Sequence, residues 1–190
     1  MKRICLMFAT VVFAGTLAGC DNYVKDYDTN TLIINKNGSL VEVAVEDFQN
    51  SSVKEEEINA YIEEQIDAYN EVSGKKVSKK TIDTQDLSKV KLVLKYEDIE
   101  SYNGFNSLNY KLDDFVNIQE SDFKGSYTSS EGEVVGVADF KEIDESKVLM
   151  ISEATDLVVD GEIQYYNEEF SVKDDIAKSS GNGTAIIIYK

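Results

Sequence analysis

Four Ser-x-x-Lys spacings run through this 190-residue chain, at Ser51/Lys54, Ser73/Lys76, Ser88/Lys91 and Ser121/Lys124. On a helix that spacing sets a lysine amine beside a serine hydroxyl and activates it as a nucleophile. The partner motif Lys-Thr-Gly is absent, and Ser73 and Ser88 lie away from any helix start, so the spacing reads as coincidence. Asp26-x-Asp28-x-Asn30 opens like a calcium loop. Its sixth and twelfth positions are Thr31 and Asn37, where such a loop needs glycine to turn and glutamate to ligate in bidentate fashion. The carboxylate pairs Asp113-Asp114 and Asp174-Asp175 suit a weak cation contact at most, and read as solvated loop acids. Gly181-Asn182-Gly183 has no lysine or helix behind it, so it is a turn and not a phosphate loop.

Histidine is absent, and the two cysteines are Cys5 and Cys20. Lys2 and Arg3 precede an uncharged apolar run from Ile4 to Thr16, and Leu17-Ala18-Gly19 leads into Cys20. That is the order of a secretory signal peptide, too short to span a hydrocarbon core of about 30 Å comfortably. Its end resembles the lipobox of bacterial lipoproteins, which implies cleavage between Gly19 and Cys20 and acylation of Cys20 by palmitate-type chains. Several acyl chains anchor stably, at about 0.8 kcal/mol per buried methylene. No thiol then remains for a disulfide, a zinc site or a nucleophile. Without histidine, Ser-His-Asp, Cys-His and histidine-based metal mechanisms are excluded. No catalytic residue, metal ligand or cofactor is assigned.

Residues 1–19 hold two of the 19 Lys+Arg and none of the 36 Asp+Glu, so the processed chain carries 17 basic against 36 acidic side chains, a net −19. Such a surface stays soluble and repels nucleic acid and anionic headgroups. Lys75, Lys76, Lys79 and Lys80 form the single basic cluster. Lysines on an edge strand deter sheet-to-sheet association. The functional alternative is contact with an anionic wall polymer or surface glycan, to which tyrosines would add stacking.

The elements that must position these residues follow from periodicity. Residues 20–30 read as the lipidated cysteine and a tether, and 31–190 as one globular domain. Thr31–Asn35 and Ser39–Glu46 flank Lys36-Asn37-Gly38, a strong hairpin signal. A two-residue loop pairs Ile34 with Val41 and Leu32 with Val43, with Val41, Val43 and Val45 buried and Glu42, Ala44 and Glu46 wet. Ser52-Val53-Lys54-Glu55 reads as a capping box. The helix that follows, Val53 to Ser73, carries Ile58, Tyr61, Ile62, Ile66, Tyr69 and Val72 as a core stripe and stops at Gly74. Strands are expected at 76–85, 89–96, 107–112, 133–140, 147–152, 155–159, 162–166 and 184–189, with a short helix over Ile99 to Asn106. Asp160-Gly161 reads as a second tight hairpin, and Tyr165-Tyr166 sends one ring to each strand face. The fold class is α+β: a mainly antiparallel sheet with one long amphipathic helix packed on it.

The early hairpin ending in Val45-Glu46-Asp47-Phe48, the helix closing on Tyr69-Asn70, Leu94-Lys95-Tyr96, Tyr102 with Phe105-Asn106, Gly161-Glu162-Ile163-Gln164-Tyr165 and the terminal Ile187-Ile188-Tyr189-Lys190 complete a pattern. With the lipobox, it resembles uncharacterised lipoproteins of gut Clostridia of the Lachnospiraceae type. The resemblance implies a domain anchored through Cys20 on the outer side of a Gram-positive membrane. The expected function is non-enzymatic: a binding or envelope-structural module whose partners are the membrane and a wall polymer or another envelope protein, not nucleic acid. Two alternatives stay open, a carboxylate-based hydrolase of the glycosidase kind and a solute-binding component of a transporter.

Overall fold

The computed structural model describes residues 27–48, 54–141 and 143–190. The leader, Cys20, Asp26, Ser51 and the expected cap at Ser52 lie outside the described residues. The described chain is mixed α/β and mostly sheet, with thirteen strands in two sheets and two α-helices.

In the first sheet the strands run β11 (Phe170–Lys173), β12 (Ile176–Ser179), β9 (Asp156–Val159), β1 (Thr31–Ile34), β2 (Leu40–Glu46), β4 (Val90–Tyr96), β3 (Val77–Asp83). The second runs β5 (Lys111–Asp114), β8 (Lys147–Ile151), β13 (Ala185–Tyr189), β10 (Ile163–Asn167), β6 (Tyr127–Ser129), β7 (Val134–Val135). Pairing is antiparallel except between β1 and β9, which run parallel. Helix α1 spans Glu55–Ser73 and α2 spans Ile99–Asn106.

Alternate side chains of single strands enter different clusters. Leu32 and Ile34 of β1, Leu94 and Tyr96 of β4, and Leu157 of β9 join Ile66 of α1, Tyr102 of α2, and Leu149, Ile151, Ile187 and Tyr189 of the second sheet. Their neighbours Ile33, Val41, Val43 and Val93 form a cluster on the far face of the first sheet. Val148, Ile186 and Ile188 pack with Phe123, Tyr127 and Tyr165 on the far face of the second. Strands buried on both faces read as apolar runs such as Ala185-Ile186-Ile187-Ile188-Tyr189.

Several expectations change. The first hairpin pairs Ile34 with Leu40 and Ile33 with Val41. Gly38 sits at φ +82, and its N–H donates to the Asn35 carbonyl at 2.9 Å. That is a three-residue loop with a left-handed glycine, not a two-residue one. The face carrying Glu42, Ala44 and Glu46 turns toward the helix side of the sheet, where Glu42 and Ala44 are half-buried and Glu46 is exposed as expected. Asp160-Gly161 is no hairpin, because β9 and β10 belong to different sheets. A Cβ on Gly161 would stand 2.5 Å from the Lys190 carbonyl oxygen, so the crossing needs glycine. The span 133–140 holds only β7 and a 3₁₀ turn at Val137–Asp139, where the Asp139 carboxylate accepts the Gly136 N–H at 3.1 Å. Strands β6, β11 and β12 were not foreseen. Asp174-Asp175 joins β11 to β12, both residues left-handed at φ 51 and 63, as a type I′ turn requires.

The N-cap of α1 is Lys54, whose backbone N–H donates to the Glu57 carboxylate at 3.0 Å. Along α1, Ile58 and Ile66 are buried and Ile62 and Tyr69 half-buried, while Tyr61 and Val72 are 63% and 89% exposed. The core stripe is thus narrower than the sequence suggests. Domain contacts also begin within the stretch read as tether. Tyr27 packs on the far-face cluster, and Asp28 holds Lys89 at 2.6 Å and Lys91 at 2.9 Å.

Candidate functional site

A cleft of about 640 Å³ lies between α1 and the first sheet, within the range of small-molecule sites. Strand alternation puts Glu42, Ala44 and Glu46 in a row along β2, beside Leu92 and Leu94 of β4. Tyr61, Ile62, Gln65, Ala68 and Tyr69 lie on one side of α1 because their spacing follows the helical period. Phe105 and Asn106 at the end of α2 complete the lining. Ala44 and Ala68 line the cleft from opposing elements, and their small side chains leave the space open.

Glu42 is the chemically distinctive group. The Tyr96 hydroxyl donates to its carboxylate, and the Asn106 amide donates to the Tyr96 hydroxyl at 3.2 Å. Burial pushes the Glu42 carboxyl above the usual carboxylate range, and the hydrogen bonds from Tyr96 and Asn106 partly restrain the shift. Burial also raises the Tyr96 and Tyr102 phenols, with the negative charge of Glu42 adding to it. Phe105 meets Tyr69 edge-on at 5.5 Å and Tyr96 at 5.9 Å between ring centroids. Neither lysine nor arginine is among the lining residues. A desolvated acid in a cleft is a recognised mark of a functional site.

The sequence-read candidates fall elsewhere. Lys75 pairs with Asp98 at 2.6 Å, and Lys79 with Glu63 at 2.5 Å. Lys76 and Lys80 are exposed. All four lie on or just before β3, an edge strand of the first sheet, as the aggregation-guarding reading requires. Asp28 is drawn down to about 2 by hydrogen bonds from Lys89 and Lys91, and Asn30 accepts the Val45 N–H at 2.7 Å. Both therefore fasten the chain to the sheet. Asp113 accepts the Asn117 amide at 2.8 Å, and Asp114 pairs with Lys147 at 3.0 Å. Among the described residues, no three acids gather as a metal site. The Ser88 hydroxyl goes to Asp86 at 2.7 Å and the Lys91 amine to Asp28, so that Ser-x-x-Lys pair is spent on local structure. Tyr165 and Tyr166 do enter different clusters.

A second cavity, of about 560 Å³, mixes Lys111, Lys124, Asp122, Glu168 and Glu169. Lys111 already pairs with Asp122 at 3.4 Å, which leaves no single charge to recognise. Sequence reasoning missed Glu42, because alternation assigned it to a wet face, and placed the exposed Tyr61 in the core, whereas Tyr69 does pack against the core as expected. The available signal was the pair of alanines, Ala44 and Ala68, interrupting otherwise bulky faces. No protein-family model, curated protein or solved structure matches the chain.

Proposed function

We propose that this protein is a lipid-anchored, non-enzymatic binding module on the outer face of a bacterial membrane, taking its ligand in the cleft between α1 and the first sheet. The cleft carries this reading: an aromatic-edged concavity of mixed polar and apolar lining with a single desolvated carboxylate. A glycosidase needs two carboxyls about 5–10 Å apart. Glu42 and Glu46, the two acids lining the cleft, both stand on β2. A glycosidase pair flanks the scissile bond from two sides, so two acids on one wall favour binding over hydrolysis. Attachment is assigned to acyl chains on Cys20, which cleavage after Gly19 leaves as the first residue. No described helix is long and apolar enough to cross a membrane.

Lys76 and Lys80 offer a secondary contact for an anionic wall polymer, weaker than the four-lysine cluster suggests because Lys75 and Lys79 are already paired.

A small-molecule fragment screen followed by nuclear magnetic resonance tests the cleft. Hits should shift resonances of Tyr69 and Phe105. Ala68→Leu, an exposed helix position tolerant of leucine, should abolish them. Binding that ignores Ala68→Leu, or hits confined to other surfaces, would overturn the assignment.

A further inference from the structure

We propose that the cleft recognises an organic cation, an ammonium group carried on a compact apolar body, with the charge set at the Glu42 carboxylate against the rings of Tyr69 and Phe105. This rests on the reading of the cleft as the ligand site and names the ligand class. Charge supplies the first argument. Glu42 and Glu46 line the cleft without a basic side chain among its walls, and the chain as a whole carries −17. A phosphate, sulfate or carboxylate ligand would meet repulsion and find no cationic donor.

The hydrogen-bonding inventory supplies the second. A carboxylate offers about four acceptor positions. The Tyr96 hydroxyl occupies one of Glu42's, and the Asn106 amide takes a second. The rest of the carboxylate stands in a partly desolvated place, where its charge is balanced by a nearby cation more strongly than in water, whether or not that cation carries an N–H.

The walls supply the third. Ala44, Ile62, Ala68, Leu92 and Leu94 are apolar, and the polar uncharged side chains are Gln65, Asn106 and the tyrosines. An alkylammonium presents methyl or methylene groups to the aliphatic wall and its charge to aromatic rings, which favour cations over their faces within about 6 Å. Tyr61, 63% exposed at the rim, has a ring open to such contact.

The test uses the full-length chain, titrated with choline and with 3,3-dimethyl-1-butanol, its neutral isostere, at low ionic strength. Binding is read by chemical-shift changes at Tyr69 and Phe105. Choline should saturate the site and bind roughly tenfold or more tightly than the isostere, the scale of one desolvated cation–π contact. Glu42→Gln should remove that preference, and Ala68→Leu should block both ligands. Equal affinity for choline and the isostere on the unaltered chain would overturn the cation assignment and leave the cleft standing as a ligand site. A preference for choline that survives Glu42→Gln would also overturn it. Choline binding insensitive to Ala68→Leu would remove the cleft itself.

Discussion

Asn70, Asn103 and Asn167 each use one side chain to replace a missing strand partner. The Asn70 amide donates to the Val77 carbonyl at 2.9 Å, and its oxygen accepts the Val77 N–H at 2.8 Å. Asn103 does the same for Tyr110, at 2.7 and 2.9 Å. Asn167 bridges the Thr184 carbonyl and the Ile186 N–H. Each satisfies backbone groups in segments that pack against the core, where an orphaned polar group costs about 1–3 kcal/mol. Asn70→Ala should therefore lower stability by about that amount, read from the urea midpoint. Asn70→Asp, which sets a carboxylate against the Val77 carbonyl in the last turn of α1, should cost at least as much.

Glu42 gives a residue-scale pH dependence. Its carboxyl is raised in the fold, so between the usual carboxylate range and that raised value the folded state binds more protons than the unfolded. Stability falls as pH rises through that window and levels once Glu42 ionises in both states. Around it stand Glu46 on β2, Tyr96 on β4, Tyr102 and Asn106 from α2, Tyr110 beyond it, and Tyr61 and Tyr69 of α1. Asp98 has the opposite sign. Despite its burial, hydrogen bonds from Lys75 and Ser101 hold it low, so its contribution is lost as pH falls. Glu42→Gln should flatten the fall on the rising-pH side and leave the acid limb in place. A curve unchanged by Glu42→Gln in thermal melts across pH would refute this account.

At the element scale, α1 separates packing from display. Ile66 is 6% exposed within the main core, so Ile66→Ala should cost about 2–5 kcal/mol. Val72, on the same read-out stripe but 89% exposed, should cost under about 0.5 kcal/mol when changed to Ala. Half-buried Ile62 should lie between them, and denaturant midpoints of the three variants check the order. The helix was legible because its apolar period and the Gly74 stop are local signals. Helix α2 was legible for similar reasons: the Asp98 side chain accepts the Ser101 N–H at 2.8 Å as its cap. The sheets were less so. Alternation presumes one wet face, and strands such as β1 and β13 are buried on both, so the pattern that sets register disappears. The crossing at Asp160-Gly161 imitates a hairpin because nothing local reveals that its flanks serve different sheets. The Asp174-Asp175 turn imitates a cation pair because its left-handed backbone is invisible in residue type. Asp174→Asn combined with Asp175→Gly, the preferred pair for this turn, should stabilise the protein by up to about 1 kcal/mol. A loss of stability in thermal melts would contradict the turn assignment.

At the scale of the whole molecule, two sheets and two helices share one core. Leu32, Leu94 and Leu157 from the first sheet meet Leu149, Ile187 and Tyr189 from the second, with Ile66 and Tyr102 from the helices. The parallel pairing of β1 with β9 closes a span of more than a hundred residues between Thr31 and Asp156, so the first sheet cannot form from either half of the chain alone. The crossing from β9 to β10 ties it directly to the second sheet, where Glu162 and Lys190 exchange backbone hydrogen bonds at 2.8 and 2.9 Å. Loss of either sheet would expose the inner face of the other, and at about 25 cal/mol per Å² of apolar surface neither would persist in water. Unfolding should therefore be a single cooperative transition, with far-ultraviolet circular dichroism and tyrosine fluorescence giving coincident curves. Ile187→Ala on β13 and Leu32→Ala on β1 should each shift that one transition as a whole, by about 2–5 kcal/mol. Two separated transitions, or a variant that moves one probe and not the other, would show that the sheets fold as independent units and that the shared core does not couple them.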